Sequence, residues 1–253
     1  MITPDDLLPK LVALAERAGA VILGHYGGEV EVRAKADASP VTAADEAAEA
    51  VILDGLAELT PSIPVVAEER VAAGKVPELH GRPFWLVDPL DGTKEFISRN
   101  GEFTVNIGLI EGGEPVLGVV LAPAIGRVWW GAVGYGAWAR SDGQERAIVT
   151  RLRPAGGPVA VASRSHADPE TETWLDEVGA AERIAAGSSL KFCLIAEGRA
   201  DLYPRFGPTM EWDTAAGHAV LRAAGGRVTT REGAPFLYRK PEFRNPGFIA
   251  YGA

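Results

Sequence analysis

The chain of 253 residues has a single cysteine, Cys193, so no intrachain disulfide framework is available to it. That scarcity fits a reducing compartment, with the cytoplasm expected. Its four histidines are scattered, with no H-x₃-H or C-x₂-C spacing, which leaves no zinc pattern. No apolar run approaches the ~20 residues that span a bilayer. The opening residues, MITPDDLLPK, lack the basic and cleavable apolar regions of a signal peptide, so neither a transmembrane segment nor a leader is expected; peripheral membrane attachment stays open. Basic residues are also short: 25 Lys and Arg against 34 Asp and Glu give a net charge of −9. Residues 1–150 hold 12 basic and 22 acidic residues, net −10, and residues 151–253 hold 13 and 12, net +1. Such an acidic first half argues against a general nucleic-acid binder, which needs a basic face.

What is present is an ordinary globular balance, 47% hydrophobic and 23% charged, enough for one large domain or two lobes. Thr3-Pro4-Asp5-Asp6 reads as a helix start, and Leu7, Leu8, Leu11, Leu14, Ala15 and Ala18 keep helical spacing up to Gly27-Gly28. A second helix is expected from Thr42 through AADEAAEAVILDGLAEL. Ile63–Ala67 and Phe84–Val87 read as buried strands ending on Glu68 and Asp88. From Glu102 to Arg140 alternating runs with Gly and Ala-Pro punctuation predict an antiparallel meander. Pro154-Ala155-Gly156-Gly157-Pro158 marks a boundary between an α+β lobe, 1–154, and an α/β lobe, 155–253. In the second lobe, a strand at VAVAS is followed by helices around 168–179 and in SSLKFCLIAEG. A strand in ADLYPRF, a helix in DTAAGHAVLRAAGG and terminal strands complete the pattern. The class is α+β, in layers.

Acids recur where apolar runs end: Glu68 after IPVVA, Asp88 after FWLV, Asp91 three residues on, and Asp213 after Trp212. Carboxylates at the ends of buried backbone are placed to converge, and hard divalent cations such as Mg²⁺ take such oxygens. In Asp88-Pro89-Leu90-Asp91-Gly92-Thr93 two aspartates at i and i+3 of a tight turn can aim at one point, with the Leu90 carbonyl between them. Gly92-Thr93 then opens a short helix whose unpaired N–H groups suit a phosphate. On these residues alone, a strand-ending Asp followed by an Asp-Gly turn remains the simpler reading.

Longer stretches change that. WLVDPLDGTKEFISRNGEFTVNIGLI, LGVVLAP, ASRSHAD, GSSLKFCLIAEGRADLYPRFGPT and EWDTAAGHAVLRAAGG occur in order over both halves. Together they resemble the inositol monophosphatase/fructose-bisphosphatase superfamily of Mg²⁺-dependent phosphatases. Within it the chain is most similar to the bacterial 3′(2′),5′-bisphosphate nucleotidases of the CysQ type, with SRSHAD and GSSLKFC the narrower signal. The resemblance implies a layered α/β/α/β/α sandwich. It also implies two or three Mg²⁺ ions, lithium sensitivity, and a place in sulfur metabolism and nucleotide recycling. The implied substrate is a small nucleotide, 3′-phosphoadenosine 5′-phosphate (PAP) or its sulfated form PAPS, with release of phosphate by activated water.

By the same resemblance Glu68, Asp88, the Leu90 carbonyl, Asp91 and Asp213 are metal ligands, and Gly92 and Thr93 hold phosphate. Glu68, Asp45 and Thr93 orient the attacking water. Asp45 also completes a capping-box pattern with Thr42, and Asp213 would serve as a helix N-cap, so both keep a structural alternative. His166, Ser188, Lys191 and Arg205 match positions that contact the nucleotide; Ser188 is equally a cap, and Lys191 equally a solvated helix lysine. The rivals are an inositol monophosphatase or fructose-1,6-bisphosphatase on the same scaffold, and a non-catalytic nucleotide or metal sensor. A glycosidase would not need the Asp-x-x-Asp-Gly-Thr cradle. Monomer and homodimer stay open, and residues 69–82 match no pattern beyond a candidate flap.

Overall fold

The computed structural model describes residues 3–27, 32–34, 40–163 and 169–253. Helix α1 (Pro4–Tyr26) begins at the expected cap, the Thr3 hydroxyl accepting from the Asp6 N–H at 3.3 Å. Its buried stripe includes Leu7, Leu11, Leu14, Ala18 and Ile22, each large side chain contributing about 1.5–3 kcal/mol by leaving water. A short pair, β1 (Val32–Ala34) with β2 (Pro40–Thr42), leads into α2 (Ala43–Leu59), which packs on α1.

The first half continues with β3 (Val65–Ala67), α3 (Glu68–Ala72), β4 (Phe84–Asp91), α4 (Thr93–Ile97) and the meander. The meander is β5 (Thr104–Glu111), β6 (Glu114–Ala122), β7 (Arg127–Ala132), β8 (Gly136–Ser141) and β9 (Gln144–Ile148). These strands form one seven-stranded sheet in sequence order, β3 parallel to β4 and the rest antiparallel. The second half contains β10 (Val159–Ser163), α5 (Pro169–Glu177), β11 (Glu182–Ala186), α6 (Leu190–Ala196), β12 (Leu202–Arg205) and β13 (Thr209–Met210). Then come α7 (Trp212–Ala223), β14 (Arg227–Thr230), β15 (Arg244–Asn245) and β16 (Phe248–Tyr251). Five of these strands form a mixed sheet in the order β11-β10-β12-β16-β14.

The result is an α/β/α/β/α sandwich: α1 and α2, the large sheet, α6 and α7, the smaller sheet, then α5. Both faces of the large sheet are covered. Trp85, Val87, Val105, Ile107 and Val119 belong to the core under α1 and α2, and Phe84, Leu86, Val120 and Trp129 to the core under α6 and α7. Double coverage explains why its central strands read as nearly unbroken apolar runs.

One row of residues governs how close α7 comes. Gly108, Gly118 and Gly131 stand side by side on β5, β6 and β7. A methyl group on Gly118 would lie 2.3 Å from the Ala216 carbonyl oxygen, and one on Gly108 would lie 2.8 Å from the Ala216 nitrogen. Opposite, α7 presents Ala215, Ala216, Ala219 and Ala223. Backbone therefore rests nearly on backbone, and the first turn of α7 is carried to the end of β4.

Two strand expectations change. The Phe84 strand does not stop at Asp88 but reaches Asp91, and its register against β5 shifts between those residues. Pro89 and Leu90 thus lie in a bulge, where a proline removes no ladder hydrogen bond. The supposed tight turn is the bulged end of a strand. β9 and β11 were not expected from the pattern; each is an edge strand with mostly exposed residues. Among the described residues no helix is long and apolar enough to cross a membrane.

Candidate active site

Strands β3 and β4 run parallel with Ala67 beside Val87, so the residues that follow, Glu68 at the start of α3 and Asp88 still in β4, come side by side. The C-terminal ends of parallel strands are where α/β proteins place their ligands. Asp88 is 2% exposed, and its Oδ1 accepts from the Leu90 N–H at 3.0 Å, which stiffens the bulge. Glu68 starts α3, and that helix start is pinned from behind. The buried Glu49 of α2 accepts from the Glu69 N–H at 2.8 Å. Burial, together with the nearby Glu68, raises the Glu49 carboxyl above its ordinary pKa, against the pull of the Glu69 and Arg70 N–H groups.

Asp213 arrives from the other half on α7. The sequence offered it as the helix cap, but the helix begins earlier, with Glu211 in the cap position. Asp213 sits inside the first turn, its Oδ2 accepting from the Met210 N–H at 2.7 Å. Glu211 is buried and accepts from the N–H groups of Arg239 and Lys240 at 2.9 and 2.8 Å, fixing the approach to that turn.

Glu68, Asp88, Asp91 and Asp213 line one cavity of about 250 Å³, together with the Leu90, Gly92 and Thr93 segment. Burial pushes the Asp88 carboxyl well above the usual range, and the charges of Glu68, Asp91 and Asp213 push it further. Asp213 is raised well above it by burial and then by Asp91 and Glu68. Asp91 is raised by burial as well, although Lys191, Asn106 and Ser189 pull the other way. Acids crowded in this way either hold protons or share a cation. Asp88 and Glu68 meet through a side-chain hydrogen bond, and among the described residues no three such side chains close into one ligand group. Among the described residues the donors lining the cavity are hard oxygens, and that chemistry fits Mg²⁺.

Both readings of Asp45 coexist. Oδ2 accepts from the Thr42 N–H and O–H at 2.8 and 2.7 Å, completing the capping box. Oδ1 faces the Thr93 hydroxyl, which donates to it at 3.4 Å. Thr93 follows Gly92, whose φ of 92° at the start of α4 is a conformation glycine takes without strain. A methyl at Gly92 would also meet the Ser188 hydroxyl at 2.2 Å.

Ser188, Lys191 and Arg205 line the same cavity, while His166 lies outside the described residues. Ser188 does not cap α6; Ser189 holds the cap position, and Ser188 has a left-handed φ of 47°. The Ser188 Oγ lies 2.8 Å from the carbonyl oxygens of both Asp91 and Glu102, so its proton is committed to backbone. Lys191 is no solvated lysine: it is 4% exposed. Its ammonium donates to the Ser188 and Ala186 carbonyls at 2.6 and 3.3 Å and lies over the Tyr203 ring. Burial lowers it to about 8, with Arg205 adding to the effect and Asp91 opposing it. Arg205 donates to the Pro208 carbonyl, and its Nε is buried without a partner.

Three residues were missed by the sequence reading: Glu49, Asn106 and Ser189. A signal existed for two of them. Glu49 stands on the buried stripe of α2 with Asp45, Ile52 and Leu56, where an acid is costly without a partner. Asn106 lies between Thr104 and Gly108 on the face of β5 toward α7, the small and polar phase of an otherwise apolar strand.

Comparisons with known proteins show the family to which the chain belongs. The model of the inositol monophosphatase family matches residues 4–247. A 3′(2′),5′-bisphosphate nucleotidase CysQ of Escherichia coli O6:H1 is 53% identical over 245 residues, covering 96% of this chain and 98% of that protein. The crystal structure of CysQ from Bacteroides thetaiotaomicron matches with a TM-score of 0.80 at 40% identity over 94% of each chain. The IMPase of Thermotoga maritima reaches 0.81 at 26% identity, over 97% of this chain and 92% of that one.

Proposed function

The chain belongs to the inositol monophosphatase family, and from that premise we propose that it is a 3′(2′),5′-bisphosphate nucleotidase, a metal-dependent phosphoric monoester hydrolase. One observation carries the reading. Four carboxylates from two halves of the chain line a single cavity that also contains Lys191 and Arg205. The acids call for divalent cations, and the two cationic side chains suit a substrate with a second phosphate. The preferred substrate is PAP, cleaved to AMP and phosphate, with PAPS a second candidate.

Glu68, Asp88, the Leu90 carbonyl, Asp91 and Asp213 would hold Mg²⁺, two or three ions in all. Bound divalent cations supply Lewis acidity, acidifying water and screening phosphoryl charge. The remaining work belongs to the chain. Thr93 donates its proton toward Asp45 and so presents its lone pairs to the attacking water; Glu68 shares in orienting that water. The N–H groups of Gly92 and Thr93 face the transferred phosphate as preorganised donors. Lys191 and Arg205 counter the second phosphate. Ser188, its proton committed, meets the nucleotide as an acceptor, and His166 is a further contact to it. Residues 1–154 thus carry most of the metal site, and residues 155–253 carry specificity and Asp213. The reaction belongs to the cytoplasm, in sulfur metabolism and nucleotide recycling.

The test is steady-state phosphate release from PAP, inositol 1-phosphate and fructose 1,6-bisphosphate with Mg²⁺ varied, repeated with lithium. PAP is expected to give the highest kcat/KM and lithium to inhibit. A higher kcat/KM for either sugar phosphate overturns the substrate assignment.

A further inference from the structure

Asp91 and Asp213 come from different halves of the chain, yet as ligands of shared ions they must keep a fixed spacing. Two buried polar side chains connect them. The Ser189 hydroxyl donates to the Asp213 carbonyl oxygen at 2.8 Å and accepts from the Asn106 amide nitrogen at 3.0 Å. That amide nitrogen also lies 3.3 Å from the Asp91 Oδ2, to which it donates. Asn106 is fully buried and Ser189 is 1% exposed. The chain of donors runs from α7 through the start of α6 and β5 to the end of β4, without a gap.

The direction of the amide follows from its neighbours. Ser189 has one proton, and both the Asp213 carbonyl and the nearby Asp91 carboxylate can only accept it, so Asn106 must be the donor to the hydroxyl. Turned over, the amide would set its oxygen against the Asp91 carboxylate and the hydroxyl oxygen, with no proton between them. The cost of the observed orientation is visible: the Asn106 Oδ1 is buried with no partner. An unpaired buried carbonyl oxygen is unfavourable, and an apolar residue in a strand as apolar as β5 would avoid it. The amide is retained for what its two N–H groups hold.

We propose that Asn106 and Ser189 act as one positioning bridge that sets the spacing of Asp91 and Asp213 across the two halves and thereby fixes the affinity for the catalytic cations. The bridge rests on the metal-dependent reading above. Neither residue touches the reacting atoms; both act through the ligands.

Mn²⁺ binding to the purified full-length protein, followed by the electron paramagnetic resonance of the free ion, tests it without turnover. Ser189→Ala is expected to raise the Mn²⁺ dissociation constant by about 10- to 100-fold, the usual effect of removing a group that orients metal ligands. The melting temperature of the metal-free protein is expected to fall by no more than about 4 °C. Asn106→Leu severs the other end and should weaken Mn²⁺ to a similar degree. The double variant should be no worse than the weaker-binding single, because both break the same bridge. Ser189→Thr, which restores the hydroxyl, should recover affinity to within about threefold of wild type. A lower melting temperature with an unchanged Mn²⁺ constant in both singles makes the pair structural and overturns the bridge. Multiplicative losses in the double variant do so too. A wild-type protein that binds no Mn²⁺ overturns the metal reading, and the bridge with it; wild-type binding with unaffected variants overturns the bridge alone.

Discussion

Replacing Gly118 by alanine tests whether the seating of α7 controls the site. The added methyl would lie 2.3 Å from the Ala216 carbonyl oxygen, 3.0 Å from its carbonyl carbon and 2.9 Å from the Ala219 Cβ. None of these is the end of a flexible side chain. A carbon–oxygen contact relaxes near about 3.3 Å, so helix and sheet must part by about 1 Å. Such overpacking costs about 1–3 kcal/mol, or about 2–12 °C of melting temperature in a chain of this size. The larger effect falls on activity. Asp213 rides on the first turn of α7 and its carbonyl is bound to Ser189, so the lift reaches the cavity. A displacement of about 1 Å at a reacting centre costs about 100-fold in rate. Differential scanning calorimetry and PAP hydrolysis read the two effects separately. Gly24→Ala is the control: Gly24 is an exposed residue inside α1 with nothing within 4 Å of a new methyl. There alanine should stabilise the helix by about 0.5–1 kcal/mol and leave the rate alone. A Gly118→Ala protein with wild-type rate and melting temperature would refute the argument that the glycine row seats the helix.

Asp88→Asn should lower kcat by about three orders of magnitude or more while the fold survives; a folded variant with wild-type turnover in Mg²⁺ removes Asp88 from the metal site. Glu49→Gln weakens the charge-assisted hold on the Glu69 N–H, and the apparent Mg²⁺ affinity should fall by about 10-fold; an unchanged Mg²⁺ titration would show that α3 needs no anchor. Burial lowers Lys191 to about 8, so its positive charge is present below that pH and lost above it. The kcat/KM for an anionic nucleotide should decline as pH rises through about 8, and Lys191→Arg should lack that limb; parallel profiles would remove Lys191 from substrate recognition. Asp201 accepts from Arg151 Nε and Nη2 at 2.8 and 2.9 Å and from the Val159 N–H at 2.7 Å. Burial raises its carboxyl, but these donors and the Arg151 charge outweigh it, and the folded pKa lies below the ordinary value. The unfolded chain therefore binds more protons as the solution is acidified. The stabilisation is present above about pH 4 and is lost as pH falls through the folded value. Asp201→Asn should cost about 1.5–3 kcal/mol at pH 7, with the gap to wild type closing below about pH 4 in thermal melts; a gap independent of pH would contradict the ion pair.

Local rules made much of this molecule legible before its structure. Thr3 and Thr42 announce their helices because a cap is a contact between residues two or three apart. The central strands announce themselves because both their faces are buried. β9 and β11 escaped because an edge strand need only complete a ladder, and exposed charge there even protects it from pairing with another chain. At the site the acids were legible as residues at the ends of apolar runs, and β4 carries Asp88 and Asp91 on a bulge rather than a turn. What no local rule reaches is the contact that gives those acids their spacing. Asn106 and Ser189 are 83 positions apart, and Glu49 and Glu69 are 20 apart. A buried asparagine in an apolar strand and an acid on a helix's buried stripe are each unfavourable unless something distant meets them. Such locally costly residues are therefore the places where a sequence hints at long-range structure, though not at the partner. Asp45 marks the limit of reading by elimination. Its cap and its contact with Thr93 are not alternatives, because one carboxylate has two oxygens and the fold uses one for each.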